Sequence, residues 1–431
     1  MKKALLVLLV LLATFAVFAS GAPENTEAEV PVSLRFSWWG SNPRHEATLK
    51  NIERYQELNS NITIEPEYGG FDGYKDRFYI QIAGGEAPDI AQIDFKWVFE
   101  LISNYKDYFT NLYEVDEIDL SNYDKNFLTS VCGTEDFLIG IPLGTTCYGM
   151  IYNREFFEKF NLTDPGHWTW DDIIEMGKKV QSQDPNSHLL VCRLSNFVYL
   201  VRTMLKQMTG QDMISYDYER TYTEEDLTKV FQWVLDLVES GTLCSFEELM
   251  PYATSYPEQV PGWIDGTYGL AFSMGSTASG TISGSPFEIG TLYLPIMKDA
   301  KNIGWATTAS QLYSIPKNNA HVTEAAIFVN YLINDKDAYM TTADTRGIPS
   351  NSVAAKDLAE ADMLDPQIIE INEKSMELGT EVDNGPSLTS SITDLIQEYV
   401  QQVGYKKMTP AEAAAEYIKE VDAILAELKS K

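Results

Sequence analysis

From Val32 to Asp94 the spacing of the apolar residues switches repeatedly between the strand and helix periods, and this limits the fold more than any other feature of the chain. Val32, Leu34 and Phe36 fall at every second position and end in Trp38-Trp39-Gly40, the pattern of a half-buried strand. Asn42-Pro43 then opens a helix as N-cap and first-turn pair, with Leu49, Ile52, Tyr55 and Leu58 at near-helical spacing. Ile62 to Tyr68 reads as a second strand, Tyr74 to Ala83 as a helix stopped by Gly84-Gly85, and Asp89 to Asp94 as a third strand. Strand, helix, strand, helix, strand implies right-handed crossovers and a parallel sheet flanked by helices.

A second organising stretch runs from Gly140 to Arg154. Ile139, Ile141 and Leu143 alternate, Gly144-Thr145-Thr146 offers flexible hydroxyl-bearing backbone, and Tyr148, Met150 and Tyr152 resume the alternation. This suits either a strand leaving one lobe for another or a strand pair within one domain. Thr169 to Asp172 caps a helix reaching Val180, and 197–208 and 223–239 read as two more. Tyr268 to Phe272 is a strand, and the run of glycine, serine and threonine from Gly275 to Ser285 reads as a loop. Leu292 to Pro295 and Ala309 to Ile315 read as strands, Ala320 to Asn334 as a helix. Two amphipathic helices close the chain, one along Leu388 to Val403 and one starting at Thr409.

Met1-Lys-Lys3 followed by the apolar run Ala4 to Ala19 has the charged and hydrophobic regions of an export signal and is short for a membrane span. Cleavage is expected after Ala19 or Gly21, with residues 20–30 a polar leader. The first cysteine is Cys132, so no cysteine stands just after the signal for a lipid anchor, and a soluble periplasmic protein is expected. What remains exceeds one ordinary hydrophobic core and calls for two lobes. The net charge of −31 leaves no basic stripe for nucleic acid. The four cysteines (132, 147, 192, 244) lack metal-site spacing; a Cys132–Cys147 bridge and buried free thiols both remain open.

Ala271-Phe-Ser-Met-Gly275 comes near a nucleophile elbow, but its first small position is Ala and a loop is expected where that pattern needs a helix. None of the four histidines (45, 167, 188, 321) is placed as its base, and zinc-protease, dinucleotide and phosphate-loop motifs do not occur. No cofactor or metal is expected. A secreted glycosidase or lyase stays the alternative, because two acids at working separation can come from anywhere in a chain.

Segments in order along the chain resemble the family 1 extracellular solute-binding proteins, the sugar-capturing subunits of ATP-driven (ABC) importers. They are VSLRFSWWG, GGEAPDIAQID, GIPLGTTCYGMIYNREFFEKFNL with WTWDDIIEMGKKV, LYSIPKNNAHVTEAAIFVNYLI and RGIPSN. Within that family, SWWG, RHEATL and GGFDGY are most similar to members that take up oligogalacturonides. The resemblance implies an α/β fold of two lobes (type II), each a mixed sheet flanked by helices and joined by crossing strands. Lobe one is expected at 31–143 and 306–351, and lobe two at 144–305 and 352–431. It also implies an oligosaccharide ligand, membrane permease subunits as partners, a monomer, and no catalysis.

A sugar cleft needs aromatic faces for pyranose rings and planar polar groups for hydroxyls. Trp38, Trp39, Trp97, Trp263 and Trp305 lie near expected turns or strand ends, although each equally suits a core. Asp94, with Lys96 in the same turn, matches a position that in the family accepts sugar hydroxyls; capping the following helix is its other role. Thr145, Thr146 and Tyr148 would face the cleft from the crossing, and Ser273, Met274 and Gly275 from the second lobe. Asn196 and Arg346 are carried over by approximate position. Asn42, Arg44 and His45 begin a helix whose free N–H groups suit an anionic, uronate-bearing ligand; a solvated Arg44 is the plainer reading.

Overall fold

The computed structural model describes residues 31–430 except 72, 318, 319, 380, 383 and 384. The expected signal and leader lie outside these residues. Among them no helix is long and apolar enough to cross a membrane.

Five strands form the first sheet in the order β2-β1-β3-β10-β4, with β1 Val32–Trp39, β2 Ile62–Gly69, β3 Ile90–Ile93, β4 Ile141–Pro142 and β10 Leu312–Ser314. β1 runs parallel to β2 and β3, as the crossovers require, whereas β10 is antiparallel to β3 and β4. Helices Asn42–Leu58 and Tyr74–Gly84 make the crossovers, the second ended by Gly85 at φ 73°. The buried stripe of the first helix is partly polar: Arg44, Thr48 and Asn51 lie inside, while Leu58 is exposed.

β5, Gly144–Asn153, is the spine of the second sheet. β9 (Ala306–Ala309) and β8 (Ile289–Leu292) follow one another along one edge, and β11 (Ile348–Pro349) and β7 (Tyr268–Met274) along the other, all antiparallel to β5. β6 (His188–Val191) runs parallel to β7, and β12 (Glu381–Val382) parallel to β9. Alternation along β5 sends Tyr148, Met150 and Tyr152 into one large core and Ile151 into a smaller one behind the sheet. The closing helices Ser390–Gly404 and Pro410–Ser430 cover the large core. A separate core holds the first sheet, so the molecule has two lobes. The chain passes from one to the other at Leu143, between β4 and β5.

Several expectations are corrected. The return passage lies at Ser310–Gln311, because Ala306–Ala309 still pairs with β5. Helix Ser352–Glu360 packs on first-lobe elements: Ser352 donates to the Asn122 carbonyl, and Tyr339 to Asp357 at 2.7 Å. The stretch expected as a loop is helix Gly275–Gly284, whose small residues let it lie close on β5, with Gly275, Ser276, Ala278 and Thr281 buried. All four cysteines are buried free thiols; Cys132 sits in the first core and Cys147 pairs with Thr307, so they form no bridge.

Candidate functional site

Beyond the carboxyl ends of β1 and β3 lie Arg44 and Lys96, with Arg346 beside Arg44 and Tyr199 of the second lobe beside Lys96. Arg44, 7 % exposed, donates from Nε and Nη2 to the Thr345 carbonyl at 3.1 and 3.0 Å. Arg346, 3 % exposed, donates to the Gln92 side chain and to Thr48 Oγ1, and lies 5.3 Å from the centre of the Tyr313 ring. The polar stripe of helix Asn42–Leu58 therefore has a purpose: Asn51 fixes Ala338 and Thr342, Thr48 receives Arg346, and Arg44 holds the loop before it. Among the described residues neither guanidinium has a carboxylate partner. Burial, then Arg346 beside it, push Arg44 down to about 9, so it is still charged at neutral pH. Burial likewise lowers Arg346. Burying an ion without a counter-charge costs several kcal/mol.

Asp94 caps the short turn Phe95–Trp97, its Oδ1 accepting from the Lys96 N–H at 3.0 Å and its Oδ2 lying 3.2 Å from Lys96 Nζ. Of the two roles foreseen for its position, the cap is the one these contacts display. Lys96 reaches towards the second lobe, its ammonium 6.0 Å from the centre of the Tyr199 ring. Burial works against this charge, but Asp94 and Tyr199 outweigh it and raise its pKa. Tyr199 leans on Tyr148 at 4.8 Å, and Tyr148 on Trp305 at 5.7 Å. Further along the second lobe Arg193 lies 4.2 Å over the Tyr256 ring, and Tyr256 is near enough to Arg44 to act on its charge. The buried Arg193 Nε has no hydrogen-bond partner among the described residues.

The remaining candidates divide. Thr145 shares a hydrogen bond with Ser350 at 3.2 Å, and Thr146 Oγ1 accepts from the Ser276 N–H at 2.9 Å, anchoring the helix that starts at Gly275. Met274 packs against the cores of both lobes. Ser273 is buried, donating to the Met274 carbonyl and sharing a contact with Thr277. A helix follows it where a loop is expected, but these neighbours are not a catalytic base. Asn196 caps its helix by accepting from the Arg193 N–H, and Asn42 is exposed. His45 accepts from Trp38 Nε1 at 3.0 Å; burial, Arg44 and Arg346 lower its pKa.

The tryptophans are corrected as a group. Trp38, Trp263 and Trp305 are at most 1 % exposed, with their N–H groups bonded to His45, Ser285 and the Pro295 carbonyl, so they are core residues. Trp263 belongs to the small core behind the second sheet. Trp39 and Trp97 contact each other at 5.5 Å beneath Phe71, which is 39 % exposed and presents this aromatic cluster at the surface. Phe71, Arg193, Tyr199 and Tyr256 were not among the candidates. The strand-end rule applied above to the tryptophans also selects Arg193, just after β6.

Comparison with known proteins bears on this arrangement. Residues 40–339 match the family described as bacterial extracellular solute-binding protein. A lactose-binding protein of Rhizobium radiobacter is 24 % identical over 276 residues; the match covers 62 % of this chain and 62 % of that protein's length. A periplasmic oligogalacturonide-binding protein from Yersinia enterocolitica, in complex with saturated digalacturonic acid, is 26 % identical with a TM-score of 0.84, covering 92 % of this chain and 99 % of that one. A periplasmic solute-binding protein from Pectobacterium atrosepticum is 25 % identical, also with a TM-score of 0.84 and the same coverage. With the family match spanning well over half of its length, and the two-lobed fold shared with these structures, the chain belongs to the bacterial extracellular solute-binding proteins.

Proposed function

We propose that this protein is exported to the periplasm, captures an oligosaccharide bearing uronic acid groups between its lobes, and delivers it to the permease of an ABC importer. The observation that carries this reading is that Arg44 and Arg346 lie together, Arg193 stacks on the Tyr256 that reaches Arg44, and Lys96 points at Tyr199, in a chain whose net charge is −31. A neutral sugar offers hydroxyl acceptors but no charge to offset two buried guanidinium groups that lack a carboxylate among the described residues; a uronate offers bidentate, charge-assisted hydrogen bonds. The digalacturonic acid complex of the Yersinia protein supports the acidic class, and the lactose-binding relative supports sugars in general.

Capture works by closure about the two passages, Leu143 and Ser310–Gln311, with lobe one taken as 31–143 and 311–361 and lobe two as 144–310 and 362–430. Ligand contacts from both sides are needed, because a ligand favours the closed form only by its extra affinity for it. Arg44, Arg346 and Asp94 supply them from one lobe, Arg193, Tyr199 and Tyr256 from the other. The protein works as a monomer and breaks no bond.

The test is tryptophan fluorescence and melting of the purified mature protein against oligogalacturonides, lactose and neutral galactose oligomers. Saturable binding of oligogalacturonides with a raised melting midpoint is expected. Turnover of any of these sugars would instead favour a carbohydrate-active enzyme, and no response to any of them would contradict sugar capture.

A further inference from the structure

Asp94 stands where a strand-end carboxylate would accept sugar hydroxyls, yet it is engaged from two directions by one residue. Its Oδ1 takes the Lys96 backbone N–H and its Oδ2 faces the Lys96 ammonium at 3.2 Å. The same ammonium lies 5.5 Å from the centre of the Phe71 ring and 6.0 Å from that of Tyr199. One cation thus covers a carboxylate that suits hydroxyls and two aromatic rings that suit the C–H edges of a pyranose. Phe71 packs on Trp39 and Trp97 of the first core and Asp94 follows β3 of the first sheet, whereas Tyr199 packs on the second core, so this point of contact bridges the lobes.

We propose that Lys96 is the residue that sets the choice between acidic and neutral sugars, an inference that rests on the ligand class proposed above. A neutral sugar reaching Asp94 competes with the ammonium and returns no counter-charge to it. An acidic sugar supplies a carboxylate that pairs with Lys96 and releases Asp94 to accept hydroxyls. The flexible four-carbon stem permits the shift without moving the backbone, which Asp94 continues to cap. Arg44 and Arg346 hold no carboxylate among the described residues and so have none to release.

The experiment compares digalacturonate with its dimethyl ester, the same disaccharide without charge, by titration calorimetry on the mature wild type, Lys96→Met and Lys96→Arg. Wild type is expected to prefer the acid. Lys96→Met should lose about 10- to 100-fold in affinity for the acid, the range of a charge-assisted hydrogen bond, and hold or improve its affinity for the ester. Lys96→Arg should keep the preference. Melting curves establish that both variants fold. A folded Lys96→Met with the wild-type ratio of affinities overturns the inference, as does a wild type that binds acid and ester equally; sugar capture survives either result. A wild type that binds neither overturns the proposed ligand class as well.

Discussion

Gly144 is the first residue of β5, one step beyond the passage at Leu143, and Gly144→Ala is expected to couple that passage to the cation cluster. A Cβ there would lie 2.3 Å from the Arg346 carbonyl oxygen, 2.9 Å from Ser310 Oγ and 3.1 Å from the Ile348 carbonyl oxygen. Two of these atoms are backbone in a segment laddered to β5, with Ile348 opposite Thr145 and Pro349 opposite Gly144. They cannot yield by a rotamer change. Restoring ordinary contact requires the Arg346 backbone to retreat by about 1 Å, against the hold of Gln92 and Thr48 on its guanidinium. Overpacking of this kind costs about 1–3 kcal/mol. At ~2–4 °C per kcal/mol for a lobe-sized unit, the melting midpoint should fall by roughly 2–12 °C. Affinity for digalacturonate should fall about tenfold, equivalent to ~1.4 kcal/mol, as Arg346 is displaced. Scanning calorimetry and titration calorimetry read the two effects. Gly84→Ala, where a Cβ meets nothing within 4 Å, is the control and should do neither. A Gly144→Ala protein that melts and binds like wild type refutes the reasoning.

Arg346→Met removes a buried cation that lacks a carboxylate among the described residues, so digalacturonate affinity should drop at least about tenfold while the melting midpoint without sugar changes little; unchanged affinity in titration calorimetry contradicts this. Trp263→Ala should cost about 3–5 kcal/mol in denaturant unfolding yet leave the folded protein's sugar affinity intact, since Trp263 lies in the core behind the second sheet; a selective loss of binding would return it to the site. His45 has a folded pKa below its unfolded value of ~6.5, so its contribution to stability is whole above that value and is lost as pH falls through the lower folded value. NMR titration should place its midpoint below ~6.5, and a midpoint at or above this would contradict the burial argument.

Much of the first lobe was legible because its signals are local. Alternation marks β1, Gly84-Gly85 stops a helix, and the crossover rule then orders three parallel strands. Helix Gly275–Gly284 was not legible, because what makes it helical is tertiary: Gly275, Ser276 and Ala278 allow a close approach to β5 that no local propensity reports. The tryptophans misled for a similar reason. A strand-end Trp carries the same sequence signal whether its ring faces a cleft or a core, and only packing distinguishes Trp263 from Trp39. Arg44 and Arg346 were named from separate segments, but that they share one buried setting depends on contacts between residues some three hundred positions apart. Asn196 was three residues from the more telling Arg193, whose position just after β6 needed that strand's end to be fixed first.

The most direct measurement is a crystal structure of the mature protein with digalacturonate. It should show a sugar carboxylate within hydrogen-bond distance of Arg44, Arg346 or Lys96, and the rings contacted from the opposite side by Tyr199 or Arg193. Sugar bound elsewhere, or held between the lobes with its carboxylates turned to solvent, would contradict the account.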